Sequence, residues 1–171
     1  SHAFIEGKTR IGQNNQIGNG VSLGLAPQDP EYQGEETELE IGYNNIIREF
    51  ATIHRGTNQG QGLTKIGNNN RLLAYSHVAY NCELGDKITL KNAANLAGYV
   101  LVEDLAYISK LVGVHQHVRI GKLSYVDSHS KVIKDVPPYL KISGHPAQVE
   151  SIYYRGLRKE GLSLEFQHKL E

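Results

Sequence analysis

Ile66-Gly-Asn-Asn-Asn-Arg-Leu72-Leu-Ala-Tyr-Ser-His-Val78-Ala-Tyr-Asn-Cys-Glu-Leu84 places an aliphatic residue at every sixth position. The beat continues without a gap through Leu90, Leu96, Val102, Ile108, Val114, Ile120, Val126 and Val132. It is already present upstream at Ile5, Ile11, Ile17 and Leu23, and again at Ile41, Ile47 and Ile53. The fifth place of the hexad is small or aliphatic (Ser76, Cys82, Ala94, Ala106, Val112, Val118), and the second is often Gly or Ala, as at Gly67, Ala79, Gly85, Ala97 and Gly121. Six matches neither the 3.6-residue period of an amphipathic helix nor the two-residue alternation of a half-buried strand. It matches a coil of three flat rungs, each pointing one aliphatic side chain inward, with successive coils stacked as parallel strands about 4.8 Å apart. The hexad signature predicts an all-β fold, a left-handed parallel β-helix built from hexapeptide repeats. Asn-rich stretches (Asn14-Asn15, Asn44-Asn45, Asn68-Asn69-Asn70) suit its corners, because Asn tolerates a left-handed backbone.

The rhythm fails in two places. Residues 25–40 keep the register but put Asp29 and Glu35 at core positions, which predicts a loop thrown out from a corner. Between Ile53 and Ile66 one residue is extra, which predicts a second excursion over 58–65. After Val132 the hexads stop, and Asp135-Val-Pro-Pro is expected to close the last coil. The β-helix is thus assigned to residues 1–146. Residues 147–171 are read as a short helical tail, two helices parted at Gly161 with Ser163 capping the second.

Composition narrows the function. The chain has 171 residues with 18 Lys+Arg against 18 Asp+Glu, so it lacks the basic surplus expected of a nucleic-acid or membrane-surface protein. Its single cysteine, Cys82, cannot form an internal disulfide and suits a reducing cytoplasm. No apolar run approaches the ~18 residues of a membrane span. The chain contains no Met, so Ser1 does not read as a natural start, and further upstream sequence is expected.

Residues 18 apart stand above one another in such a coil. That places Asn81, Tyr99 and His117 in one outward column and Tyr80, Gly98 and Gln116 in the next. His77 falls above Asn95 and Gly113, and His115 joins Ala79 and Ala97. Three of the chain's histidines therefore lie within two coils of each other on one side. Their columns are offset and no H-x-x-x-H spacing occurs, so no metal site is assigned. A γ-class carbonic anhydrase, which shares this architecture, lacks its ligand set here.

Longer stretches carry a more specific likeness. Gln28-Asp29 with Tyr32-x-Gly34-Glu35, Ile46-Ile47-Arg48-Glu49 leading to Thr52-Ile53-His54-Arg55-Gly56-Thr57, and Gly60-x-Gly62-Leu63-Thr64-Lys65 are three of them. Leu96-Ala97-Gly98, Val114-His115-Gln116 and Asp135-Val136-Pro137-Pro138-Tyr139 are three more. Together they make the chain resemble the UDP-N-acetylglucosamine 3-O-acyltransferase family of lipid A synthesis along nearly its whole length. The resemblance implies a homotrimer working in the cytoplasm, with acyl carrier protein and a nucleotide sugar as partners. It implies no cofactor, because the acyl group arrives on the carrier protein. Catalysis in the family uses a histidine base oriented by an aspartate, and the backbone N–H of the Gly in Leu-Ala-Gly, here Gly98, meets the oxyanion. Set against the family, the first coils and most of the C-terminal helical domain are not represented.

The catalytic positions depart from that pattern. The motif reads Ser76-His77-Val78-Ala79-Tyr80-Asn81-Cys82, so Tyr80 and Asn81 replace both members of the dyad. A phenol, with a reference pKa near 10, is a poor base at neutral pH. Glu31 stands where a lysine is usual, Tyr99 where a histidine is usual, and Lys110 and Ser128 where glycines line the acyl groove. Tyr153, Arg155 and Glu160 replace the Asn, Glu and Arg that grip the nucleotide. The candidate catalytic residues are His77, Tyr80, Gly98 and His117; the candidate substrate-binding residues are Gln28, Asp29, Glu31, Tyr99, His115 and Gln116. Two kinds of function follow. One is an acyltransferase of low or altered activity, including transfer to the amine of an amino sugar, which is nucleophilic without prior deprotonation. The other is a non-catalytic homologue that binds a ligand or partner in the inter-subunit cleft.

Overall fold

A computed structural model describes residues 2–163 together with 166 and 169. The chain winds as a left-handed parallel β-helix whose three faces are seven-, six- and eight-stranded sheets. The first face is formed by Phe4–Ile5, Ser22–Leu25, Thr52–His54, His77–Val78, Asn95–Leu96, Gly113–Val114 and Lys131–Val132, all parallel. Register follows the 18-residue step, with His77 beside Asn95, Asn95 beside Gly113 and Gly113 beside Lys131. The twelve aliphatic residues from Ile66 to Val132 are each no more than 3 % exposed. Each fully buried side chain of this size contributes roughly 1.5–3 kcal/mol relative to exposure. The tube interior is therefore one continuous core.

The corners are more general than the Asn stretches suggest. Asn14, Asn44 and Asn69 do adopt positive φ. So do Tyr75, Asn81, Lys87, Ala93, Tyr99, Leu105, Leu111, His117, Leu123 and His129, an unbroken series at six-residue steps. Residues that ordinarily avoid this conformation are held in it by the stack. Tyr99 N–H donates to Tyr80 O at 3.0 Å, Leu105 N–H to Asp86 O at 2.9 Å and His117 N–H to Gly98 O at 3.2 Å, each bond joining one coil to the next. The Asn pairs do a second job inside the coil. Asn45 and Asn70 are buried, and each Oδ1 accepts a backbone N–H from the following coil, Asn70 N–H at 2.8 Å and Ile88 N–H at 2.7 Å.

Both excursions are present with shifted limits. Ser22–Leu25 and Glu38–Ile41 are strands, so the first loop covers 26–37 and not 25–40. Leu63–Ile66 is a strand, so the second covers 55–62 and not 58–65. The end of the coil also differs from expectation. Val136 bridges to Ile120, and Leu140–Gly144 pairs in parallel with Tyr125–Val126, so another coil is completed beyond Val132. Residues 147–152 are not helical: Ala147–Ile152 folds back antiparallel on Leu140–Gly144, adding a strand to the third face. A single short helix, Tyr154–Lys159, follows before Gly161. Phe166 N–H donates to Ser163 Oγ at 3.2 Å, the bond expected of a cap. The remainder of the expected second helix falls on residues outside those described. No helix among the described residues is long and apolar enough to cross a membrane.

Candidate functional site

The corner that follows the first face gathers half of the predicted residues. Its outward columns are set by the coil step, so Tyr80, Gly98 and Gln116 rise side by side with Asn81, Tyr99 and His117. The Tyr99 and His117 rings stack at 4.5 Å between centroids, 20° from parallel, and Tyr80 meets Tyr99 edge-on at 5.7 Å. Gln116 Nε2 donates to the Tyr80 hydroxyl at 3.0 Å. The Tyr80 ring packs against Gly98, and a Cβ at that position would come within 2.7 Å of it. A larger residue there would require the Tyr80 ring to shift. Ladder bonds flank Gly98, from Ala97 N–H to Val114 O and from Tyr99 N–H to Tyr80 O. Among the described residues no backbone carbonyl takes the Gly98 N–H between them.

Tyr80 is buried, and burial pushes its phenol above the usual range, with Asp29 and Tyr99 adding to the effect. A hydroxyl so placed holds its proton at neutral pH. Asn81 is likewise occupied. Its Oδ1 accepts Thr57 N–H at 2.8 Å and its Nδ2 donates to Thr57 Oγ1 at 2.7 Å, while Gly56 and Gly60 pack on its amide. It pins the second excursion to the corner. Cys82 beneath it is fully buried, donates to Ala97 O, and has its thiol pushed up to about 12 by desolvation.

His77 faces a different environment. It lines an open groove of about 390 Å³ along the first face, together with Asn95, Ala97, Gly113, His115 and Lys131. Its Nδ1 is 2.7 Å from Thr52 Oγ1, and its ring meets His54 edge-on at 5.2 Å. Desolvation, reinforced by His54, lowers its pKa to about 4, so the ring is neutral at pH 7. His54 is buried, and its Nδ1 lies 2.6 Å from Ala26 O, a contact that requires Nδ1 to carry the proton. Burial lowers its pKa as well. His115 is exposed, with Nδ1 3.3 Å from Gln116 O.

The first excursion carries the remaining candidates. Asp29 Oδ1 accepts Glu31 N–H at 3.0 Å, a turn that leaves Gln28 and Glu31 solvent-exposed. Glu31 accepts a short bond from Gln59 of the second excursion, which joins the two loops. Arg55, whose side chain is 13 % exposed, anchors the first loop, donating to Gly24 O at 2.6 Å and to the Tyr32 hydroxyl at 2.9 Å.

The structure thus assembles Tyr80, Gly98, Tyr99, Gln116 and His117 at one corner, with Asp29 near enough to act on Tyr80. It places His77 and His115 along the adjacent groove, and Glu31 at the junction of the loops. Thr52, His54, Arg55 and Thr57 were not among the candidates. His54, Arg55 and Thr57 fall in the quoted His-Arg-Gly-Thr stretch, which was a usable signal. Thr52 becomes relevant only because the excursion brings it into register beside His77, 25 positions later. Among the described residues no three His, Cys, Asp or Glu side chains are placed to hold a metal ion.

No family model matches the chain. A protein of Verminephrobacter eiseniae named acyl-[acyl-carrier-protein]–UDP-N-acetylglucosamine O-acyltransferase is 47 % identical over 157 residues, covering 92 % of this chain and 60 % of its own length. One of the same name from Halorhodospira halophila is 48 % identical over 160 residues, covering 94 % and 62 %. The chain spans about three fifths of the length of these curated relatives. Among solved structures, the UDP-N-acetylglucosamine acyltransferase of Francisella novicida superimposes with a TM-score of 0.98 at 40 % identity, covering 99 % of this chain and 63 % of that one. LpxA from Acinetobacter baumannii does so with a TM-score of 0.85 at 34 % identity, covering 98 % and 77 %.

Proposed function

The chain belongs to the UDP-N-acetylglucosamine O-acyltransferase family, and from that premise we propose that it is an acyltransferase whose general-base dyad has been replaced by Tyr80 and Asn81. It takes the acyl group from acyl carrier protein and passes it to a nucleotide sugar, in clefts between the copies of a cytoplasmic homotrimer. Transfer to a sugar hydroxyl is slow. The observation that carries this reading is the state of Tyr80: buried, packed against Gly98, bonded by Gln116 and with its pKa raised. It shapes the site and holds its proton. Losing a general base lowers the rate ~10²–10⁴-fold.

The rest of the corner supports transfer chemistry. In the reaction the acceptor oxygen bonds to the thioester carbonyl carbon, the C–S bond breaks, and the acceptor's proton ends on the thiol of the carrier. The Gly98 N–H supplies a donor to the oxyanion that forms. Asp29, Gln116 and the Tyr99–His117 pair line the space where a sugar would lie. A second reading is favoured by Glu31, a carboxylate where a nucleotide diphosphate would be repelled, with Asp29 two residues away. These would attract the ammonium of an amino sugar, which becomes nucleophilic once it passes one proton to solvent; the neutral amine then attacks without a strong base, and its second proton ends on the carrier thiol.

The test is calorimetric titration with UDP-N-acetylglucosamine, then an acyl-carrier-protein transfer assay on the same sample, checked as a trimer by light scattering. Weak binding with slow transfer is expected. The triple variant Glu31→Lys, Tyr80→His, Asn81→Asp should raise transfer by about 10²–10⁴-fold. Faster transfer to an amino-sugar analogue would select the second reading. Binding with no transfer to either acceptor, unchanged in the triple variant, would leave a non-catalytic binding protein in place of the enzyme.

A further inference from the structure

We propose that Thr52 is a positioning residue that fixes the tautomer of His77, leaving His77 Nε2 free to take the acceptor's proton in place of the lost dyad. The inference rests on the acyltransferase reading above. Its basis is the juxtaposition of three side chains at the start of the apolar groove. Thr52 and His77 are partners in neighbouring parallel strands of the first face, with Thr52 Oγ1 2.7 Å from His77 Nδ1. Both are half-buried, and His54 closes the ring's other side at 5.2 Å.

A threonine hydroxyl has two lone pairs and can accept Nδ1–H without giving up its own proton. With Nδ1 protonated and held, the lone pair of the neutral ring sits on Nε2, and His77 lines the groove together with Asn95 and Ala97. This is the arrangement by which a second group orients a catalytic imidazole, with a hydroxyl in the place of a carboxylate. During transfer the acceptor's proton moves to Nε2, the new bond forms at the acyl carbon, and the C–S bond breaks. The resulting imidazolium keeps its Nδ1–H on Thr52 and returns the Nε2 proton to the departing sulfur. Desolvation keeps His77 neutral across the physiological range, so it is always available, and the same depression makes it a weak base. Slow transfer follows from that weakness.

His54 completes the arrangement. Its Nδ1–H is committed to Ala26 O, so it cannot compete for the Thr52 hydroxyl through that nitrogen. Its ring packs edge-on against that of His77 at 5.2 Å between centroids. Tyr80 has no comparable partner set, since its hydroxyl already accepts from Gln116.

The experiment compares the full chain with Thr52→Val, which keeps the shape and removes the acceptor, and with Thr52→Ser, which restores a hydroxyl. Transfer kinetics are read alongside the tautomer of His77 from long-range nitrogen–proton correlations. The wild-type ring should be protonated at Nδ1. Thr52→Val should lose about tenfold or more in kcat with KM held within about twofold, and should shift the ring towards Nε2–H. Thr52→Ser should recover to within about threefold of wild type. A wild-type ring protonated at Nε2, or a Thr52→Val enzyme with unchanged kcat, would overturn the proposal. If the wild type transfers to neither a hydroxyl nor an amine, the acyltransferase reading and the base role fall together. In that case the tautomer alone decides whether Thr52 holds His77.

Discussion

The run from Ile66 to Val132 and the two excursions at 26–37 and 55–62 are held by different forces. In the run, each hexad buries one aliphatic side chain and repeats the bond pattern of the coil before it, so no single outward residue is needed. The excursions bury few apolar groups and depend on a few polar anchors: Arg55 on Tyr32 and Gly24, Asn81 on Thr57, and Gln59 on Glu31. The lesson lies at their junction. Tyr80 and Asn81 sit on the outward side of a corner whose inward neighbours, Val78 and Cys82, hold the core. Outward residues at such a corner are free of the apolar requirement that fixes Val78 and Cys82, so their identity can vary while the core pattern is kept.

The largest expected effect breaks the comparison from the side of the run. Leu96 is fully buried in the middle of the stack, and Leu96→Ala should cost about 2–5 kcal/mol through lost burial and the cavity left behind. The measurement is urea denaturation, where the midpoint should fall with little change in slope. An outward substitution on the same coil, Asn95→Ala, provides the contrast and should stay within about 0.5 kcal/mol. A loss at Leu96 as small as that at Asn95 would mean that the stack is held by its outer surface and not by the hexad core.

How much was legible in the sequence follows the same division. Hexad core positions each require one property, an apolar side chain at a fixed step, so Leu84 or Ile108 announces its burial without knowledge of any neighbour. The column geometry also followed from the step, which is why the Tyr99–His117 stack was foreseen. The loop limits were not, because Glu38 and Lys65 are polar residues on strands whose outward places accept anything. The Thr52–His77 bond was hidden by the excursion, which changes the spacing between partners from 18 to 25. Residues 147–152 fall in the stretch after the hexads stop, where a helical tail is expected. They form an added edge strand instead, with Ala147 packed on the core and residues 148–151 exposed, so little apolar patterning marks it.

A middle-sized effect tests the junction itself. His77 has its folded pKa lowered to about 4 against 6.5 for the free side chain, chiefly by desolvation. Between these values the unfolded chain binds the proton more readily than the folded one, so stability rises with pH across this window and is fully present above pH 6.5. Because the ring is partly exposed, solvent screening reduces the effect to on the order of 1–2 kcal/mol. Denaturation at a series of pH values should show the loss as pH falls from 6.5 to 4, and His77→Gln should flatten the slope. Some slope remains in that variant, since burial lowers His54 in the same direction. An identical slope with and without His77 would mean that the ring is not desolvated by the excursion that brings His54 to it.

The smallest effect probes what the regular run itself tolerates. Lys87 is an exposed corner residue with φ of 56°, and its N–H donates to Asn68 O at 2.9 Å. An L side chain in this conformation is disfavoured by about 1–2 kcal/mol, whereas glycine adopts it freely. Glycine also gives the unfolded chain more freedom to lose, which costs about 0.5–1 kcal/mol. The difference favours the variant, so Lys87→Gly should stabilise by roughly 0.5–1 kcal/mol. Lys87→Ala should change little, because alanine meets the same restriction at the corner. Such a gain would show that the stack, through burial and inter-coil bonds, overrides the local preference of each corner residue, which is why Tyr99 and His117 can occupy corners at all. If glycine gave no gain while alanine matched wild type, the corners would be relaxed as they stand. The choice of Tyr99 and His117 there would then carry no conformational penalty for the site to offset.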